Sequence, residues 1–264
     1  MTDETRSRLR VGFGRVALAE WIKLRTLRST TYLLVAVLVM IIGFAAFTTV
    51  GSIVAEVPDP QGARRDGVAG ALVGISSVEL LAGALGVLLV TSEYASGAVV
   101  STFAAVPRRV PVILAKAAVA AGAVFAVSLV AVLSAFAVAW AVLASDGTAL
   151  SLTAPGVPRA LLGAAAYLTG LAVFGVAFGW WLRSTAGALT AMFGLLYVLP
   201  IVGLLLPRQV GGHVLPYLPS NAGSAVMQLQ TSSMLAPWTG LAVFSLYVVA
   251  ALGAAVIRTL RSDV

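Results

Sequence analysis

The chain has no cysteine and a single histidine, His213. Disulfides, thiol nucleophiles and thiolate metal sites are therefore excluded, and one imidazole cannot build a histidine-based metal cluster. Lysine is almost as scarce. The only two are Lys23 and Lys116, preceded by Ile22 and Ala115. A phosphate-binding loop needs its lysine directly after glycine, so no nucleotide can be hydrolysed by such a loop in this chain. The 10 acidic residues are scattered, with no pair spaced for a metal. Clustered carboxylates of the kind used by membrane-embedded lipid transferases are also missing, so no enzyme activity and no cofactor of the chain's own are expected. Strand-like alternation over about ten residues, the mark of a membrane barrel, is absent as well.

What is present is apolar. Hydrophobic residues make up 60% of the 264 positions and charged ones only 10%, with a mean hydropathy of +1.01. Soluble domains carry about 25% charged residues, so an all-α polytopic membrane protein is expected, one domain spanning 1–264. Six apolar runs reach the roughly 20 residues needed to cross the hydrocarbon. They lie at about 32–54, 69–90, 117–143, 160–182, 186–206 and 237–257. Arg183-Ser184-Thr185 alone separates the fourth from the fifth, which predicts a tight antiparallel hairpin.

The net charge of +7 does not indicate nucleic acid, because the basic residues sit at the ends of apolar runs. Six spans place both termini on one side. That side collects 13 of the Lys and Arg residues (the N-terminal seven, Arg108, Arg109, Lys116, Arg183, Arg258 and Arg261), against four (Arg64, Arg65, Arg159 and Arg208) on the other. The positive-inside rule then makes both termini cytoplasmic. The uncharged run from Ser29 to Ala55 is too long for a signal-peptide core.

Before the first span, Phe13, Ala17, Trp21, Leu24 and Leu27 share one helical face. This predicts an interfacial amphipathic helix lying on lipid, the alternative being a plain positive-inside anchor. Thr91–Lys116 interrupts the apolar chain with a helix-compatible charged stretch. In it, Val99, Val100, Phe103 and Val106 recur at helical spacing and Gly97 keeps the other side thin. A short amphipathic helix over Tyr94–Val106 is expected. Residues 207–235 have turn chemistry but almost no charge, and Ser220-Asn221 offers N-cap chemistry for a helix from Ala222 to about Gln230. They either re-enter the bundle from outside or rest on the bilayer as a surface loop. Glu79, inside the second span, is a pathway candidate or a neutral acid bonded to a nearby Ser, Thr or Tyr. The G-x-x-x-G patterns at Gly70–Gly74 and Gly175–Gly179 are read as packing, and His213 as a solvated loop residue.

Three stretches carry a family resemblance: E-W-I-K-L-R at Glu20–Arg25, E-Y-x-S-G-x-V-x-S-T-F-x-A-x-P-R-R at Glu93–Arg109 with Ala115-Lys116, and L-P-S-N-A-G at Leu218–Gly223. In order and spacing the chain resembles the membrane-spanning permease subunits of exporter-type ABC transporters. The resemblance implies that Glu20, Trp21, Lys23 and Arg25 belong to an elbow helix. It also implies that Glu93, Tyr94, Gly97, Thr102, Phe103, Pro107 and Arg109 belong to a cytoplasmic coupling helix that docks on a separate ATP-binding subunit, where Mg-ATP would reside. Short outer re-entrant helices and pairing with a second permease copy or paralogue in the cell membrane follow from the same resemblance. The rival expectation is a self-contained membrane protein, either an ion-coupled carrier or a polytopic immunity or resistance protein. A carrier is expected to show internal repeats and several intramembrane charges, which are not apparent here.

Overall fold

A computed structural model describes residues 12–54, 60–105, 109–145, 151–229 and 235–261. These residues are predominantly helical, with no strand among them. In order they form α1 (Phe13–Thr26), α2 (Arg28–Val54), α3 (Pro60–Ala95), α4 (Ala98–Ala105), α5 (Arg109–Ser145), α6 (Val157–Leu182), α7 (Thr185–Phe193), α8 (Leu199–Leu204), α9 (Arg208–Val214), α10 (Pro219–Ser224) and α11 (Pro237–Arg261). Among the described residues, six helical segments are long and apolar enough to cross a membrane: Arg28–Gly51, Val68–Ala95, Arg109–Ala144, Val157–Leu182, Thr185–Leu204 and Pro237–Arg261. The chain is a multi-pass helical membrane protein.

The axis of the bundle is the α3–α6 pair. Within these spans 67% and 72% of the apolar window is buried, against 22% in the first, fifth and sixth spans. Glycine makes the contact possible. A Cβ on Gly86 would lie 1.9 Å from the Ala172 carbonyl oxygen, and one on Gly175 would lie 2.0 Å from that of Gly83. In lipid, helix association rests on close packing rather than on water exclusion, and here backbone meets backbone. The Gly175–Gly179 pattern thus sits on the central interface. Gly74 backs onto Ile41 of α2, and Thr48 of α2 donates to the Gly70 carbonyl at 3.0 Å.

The Arg183-Ser184-Thr185 hairpin forms as expected. Arg183 closes α6 in the left-handed region at φ 55°, and the Ser184 hydroxyl caps α7 by accepting from the Gly187 N–H. The fifth span is not continuous α-helix. Gly194–Val198 forms a π-turn immediately before Pro200, whose missing N–H leaves the Leu196 carbonyl without its ordinary helical donor.

Three expectations are corrected. The charged stretch is not one amphipathic helix: Thr91–Ala95 belong to α3, Gly97 is a turn at φ 72°, and only Ala98–Ala105 is a separate helix before α5 resumes at Arg109. Val99 is buried while Val100 is 65% exposed, so the two do not share a face. On α1, Phe13 and Trp21 of the expected lipid-facing stripe are exposed, whereas Leu24 is buried on the bundle side with Val16 and Glu20. The helix near Ser220-Asn221 begins earlier, at Pro219, and ends at Ser224 in a 3-10 turn over Ala225–Met227. Proline pre-sets φ for the first helical turn, so it takes the start that Ser220 was expected to cap.

Residues 219–228 do not lie on the outside of the bundle. They descend along α6: the Arg159 guanidinium donates to the Gln228 carbonyl at 2.7 Å, Val226 fills the space beside Gly163, and Gly223 lies against the Tyr167 ring. Arg159, Gly163 and Tyr167 are one turn apart, so the segment follows α6 for about 12 Å. Tyr167 and Phe244 of α11 close over it edge to face at 4.9 Å.

Candidate functional site

Both lysines of the chain meet in one cluster. Glu20 and Lys23 come from α1, Glu93 from the end of α3 and Lys116 from the start of α5. The Lys23 ammonium donates to Glu20 Oε1 at 2.8 Å, to Glu93 Oε1 at 2.7 Å and, at 3.4 Å, to the Thr102 hydroxyl of α4. Lys116 donates to Glu20 Oε2, to Glu93 Oε1 at 3.0 Å and to the Leu89 carbonyl at 3.0 Å. Each ammonium has three N–H donors, and in both lysines all three are used. A compact cation on a flexible stem suits a node that must reach acceptors on several helices, where a planar guanidinium fork would not.

The cluster holds two positive and two negative groups. Glu20, Glu93 and Lys116 are buried, and Lys23 reaches its edge with 39% of its side chain exposed. Burial alone pulls the Lys23 ammonium down. The hydrogen bonds and charges of Glu20 and Glu93 together outweigh it and hold the group above its ordinary value. A charge-paired cluster in which both ammonium groups use all their donors tolerates the low-dielectric position, although Glu93 Oε2 is buried without a hydrogen-bond partner among the described residues. A survivor stripped of its partner would not. Four surface and span-end elements (α1, α3, α4 and α5) are thereby tied at one node.

The same end is fixed by further contacts. Arg109 of α5 donates to the Thr259 carbonyl of α11 at 2.9 Å, and Arg258 of α11 donates to the Trp181 carbonyl at the end of α6. Thr185 donates to the Thr91 hydroxyl across the α7–α3 contact at 2.7 Å. Tyr94 packs edge to face on Trp180 at 5.6 Å, with the Arg183 guanidinium 5.5 Å above its ring.

The expected site residues therefore fall into groups. Glu20, Lys23, Glu93 and Thr102 converge on the node, while Tyr94 and Arg109 brace the neighbouring helix ends. Gly97 forms the turn into α4, and a Cβ there would meet nothing within 4 Å; its left-handed backbone, not a thin face, is its reason to be glycine. Trp21 and Arg25 are exposed and border a groove beside α1. The side chain of Phe103, and Pro107 altogether, lie outside the described residues. Glu79 is buried about 21 Å along α3 from Glu93 by helical rise, where Tyr167 and Tyr197 are its polar neighbours. Lys116 was not expected at the node. The available signal was arithmetic: two lysines and two glutamates on the same end of the bundle.

No group of three or more His, Asp or Glu that could hold a metal occurs among the described residues. The sequence matches no known family model and no curated protein.

Proposed function

We propose that the chain is the membrane-spanning permease subunit of an ATP-driven ABC exporter, working in the cell membrane with both termini in the cytoplasm. Mg-ATP would be hydrolysed by a separate ATP-binding subunit, and a second permease copy or paralogue would complete the pathway. The observation that carries this reading is the four-helix ionic node. A transporter subunit without its own nucleotide site has to receive force through a surface contact and pass it to its spans. The node joins the surface helix α4 to α1 and to the ends of two spans, so a push on α4 is transmitted rather than absorbed.

In this reading α1 is the elbow helix, α4 the coupling helix, and residues 208–227 the outer re-entrant piece. The face of α4 carrying Val100, Ser101 and Ala104 is exposed, while Val99 and Thr102 hold the opposite face to the bundle. Closure of the partner subunits around nucleotide would move α4, and with it α3 and α5, changing access between the paired permeases.

The test is affinity capture of the tagged full chain from native membranes. An ATP-binding subunit is expected to come with it and to be lost, on the order of tenfold or more, in Val100→Asp, which places a charge on the docking face. Capture of the chain alone would contradict the proposal. That result would favour a self-contained ion-coupled carrier, the reading to which buried Glu79 lends support.

A further inference from the structure

Beside the node, α1, α2 and α5 diverge and leave a groove of about 390 Å³. Its wall on α2 includes Leu34 and Leu38, and on α5 it is cut back to Ala123 and Ala126. Trp21 and Arg25 of α1 stand at its mouth. From Thr30 to Leu38 it follows α2 for about 12 Å by helical rise, close to the roughly 15 Å of hydrocarbon in one leaflet. The groove is apolar in depth and cationic at the rim.

Among the described residues the rim charge is not paired. Glu20 and Glu93 are both engaged by Lys23 and Lys116, and Arg25 makes no ion pair among the described residues. Arg28, at the start of α2, is exposed beside it. An apolar slot of leaflet depth under an unneutralised guanidinium fits one chemistry: an acyl chain carrying a phosphate headgroup. We infer that the α1–α2–α5 groove is a binding site for one anionic phospholipid of the adjacent leaflet. Its acyl chain would run past Leu34 and Leu38, and its phosphate would be held by Arg25 with Trp21 at the headgroup level. The inference rests on the groove and its charge, and does not depend on the ATP-driven reading.

Native mass spectrometry of the purified full chain tests it, with phosphatidylglycerol and phosphatidylcholine of identical acyl chains as probes. One phosphatidylglycerol is expected to be retained in preference to phosphatidylcholine. Arg25→Gln should weaken the phosphatidylglycerol complex about fivefold and leave phosphatidylcholine unchanged, while Arg25→Lys should keep most of the preference. Ala126→Phe, which fills the groove, should abolish the tight adduct; its unfolding midpoint in phosphatidylcholine micelles reports whether the bundle remains intact. Unchanged phosphatidylglycerol binding in Arg25→Gln overturns the site, since that exposed residue can be replaced without disturbing the fold. Equal loss of both lipids in Arg25→Gln overturns the headgroup assignment. Disruption by Ala126→Phe of a chain–chain dimer, with no lipid adduct affected, would make the occupant a second copy instead.

Discussion

The two ends of the bundle are held by different physics. At one end, Lys23, Lys116, Glu20 and Glu93 tie α1, α3, α4 and α5 through charge. At the other, residues 219–228 are wedged along α6 by shape, with Gly163, Gly223 and Gly240 making room for Val226, Tyr167 and the Ala222 carbonyl. Among the described residues, no salt bridge occurs at that second end; Arg159 donates to a carbonyl there. An ionic node resists separation yet allows helices to rotate around flexible lysine stems. Interlocked rings and backbone do not, and they fix the segment in one position. In the proposed function the first end would transmit force and the second would stay fixed.

Substitutions can break that contrast. The largest effect is expected from Lys116→Met, which leaves Glu20 and Glu93 buried with one fewer cation. Destabilisation of about 3–5 kcal/mol is expected, measured by denaturant unfolding in detergent. The double variant Lys116→Met with Glu20→Gln should recover a substantial part, because an unpaired charge then disappears. Gly223→Val comes next. Its Cβ would lie 2.1 Å from the Tyr167 ring, which Phe244 pins from the other side, so a loss of about 1–3 kcal/mol is expected with no dependence on salt.

Lys23 should give the smallest effect, because it is partly exposed and screened. Lys23→Met is expected to cost about 1 kcal/mol or less. The sign of its pH dependence follows from a folded-state affinity for protons raised above the ordinary value. Its contribution is fully present below that ordinary value and is lost only as pH rises through the raised one. The difference in unfolding midpoint between wild type and Lys23→Met should therefore be flat between about pH 6 and pH 9. A decline inside that window would contradict the pairing.

Apolar run length and the Arg183-Ser184-Thr185 break were enough to predict six helical spans and their hairpin, because both are local signals. The span ends were not legible. Charge at Glu93 and at Lys116 suggested helix boundaries, yet α3 and α5 continue through both residues. Their charges are cancelled by Glu20 and Lys23, which are 70 or more positions away in sequence, and no local window contains that information. For the same reason the bundle-facing stripe of α1 was not legible: Lys116 draws Glu20 inward together with Val16 and Leu24. Most residues of the node were visible as candidates; their convergence was not.

The central claim is that the ionic node keeps α1 and α4 from separating. The chain has no native cysteine, so spin labels at Leu18 and Ala104, both exposed, can report the α1–α4 distance without background. The account predicts a single narrow distance distribution in the wild-type chain and a broadened one in Lys23→Met, which removes the bond to Thr102 of α4. Equal widths in the two proteins would show that the helices are held together by something other than the node, and would contradict the account.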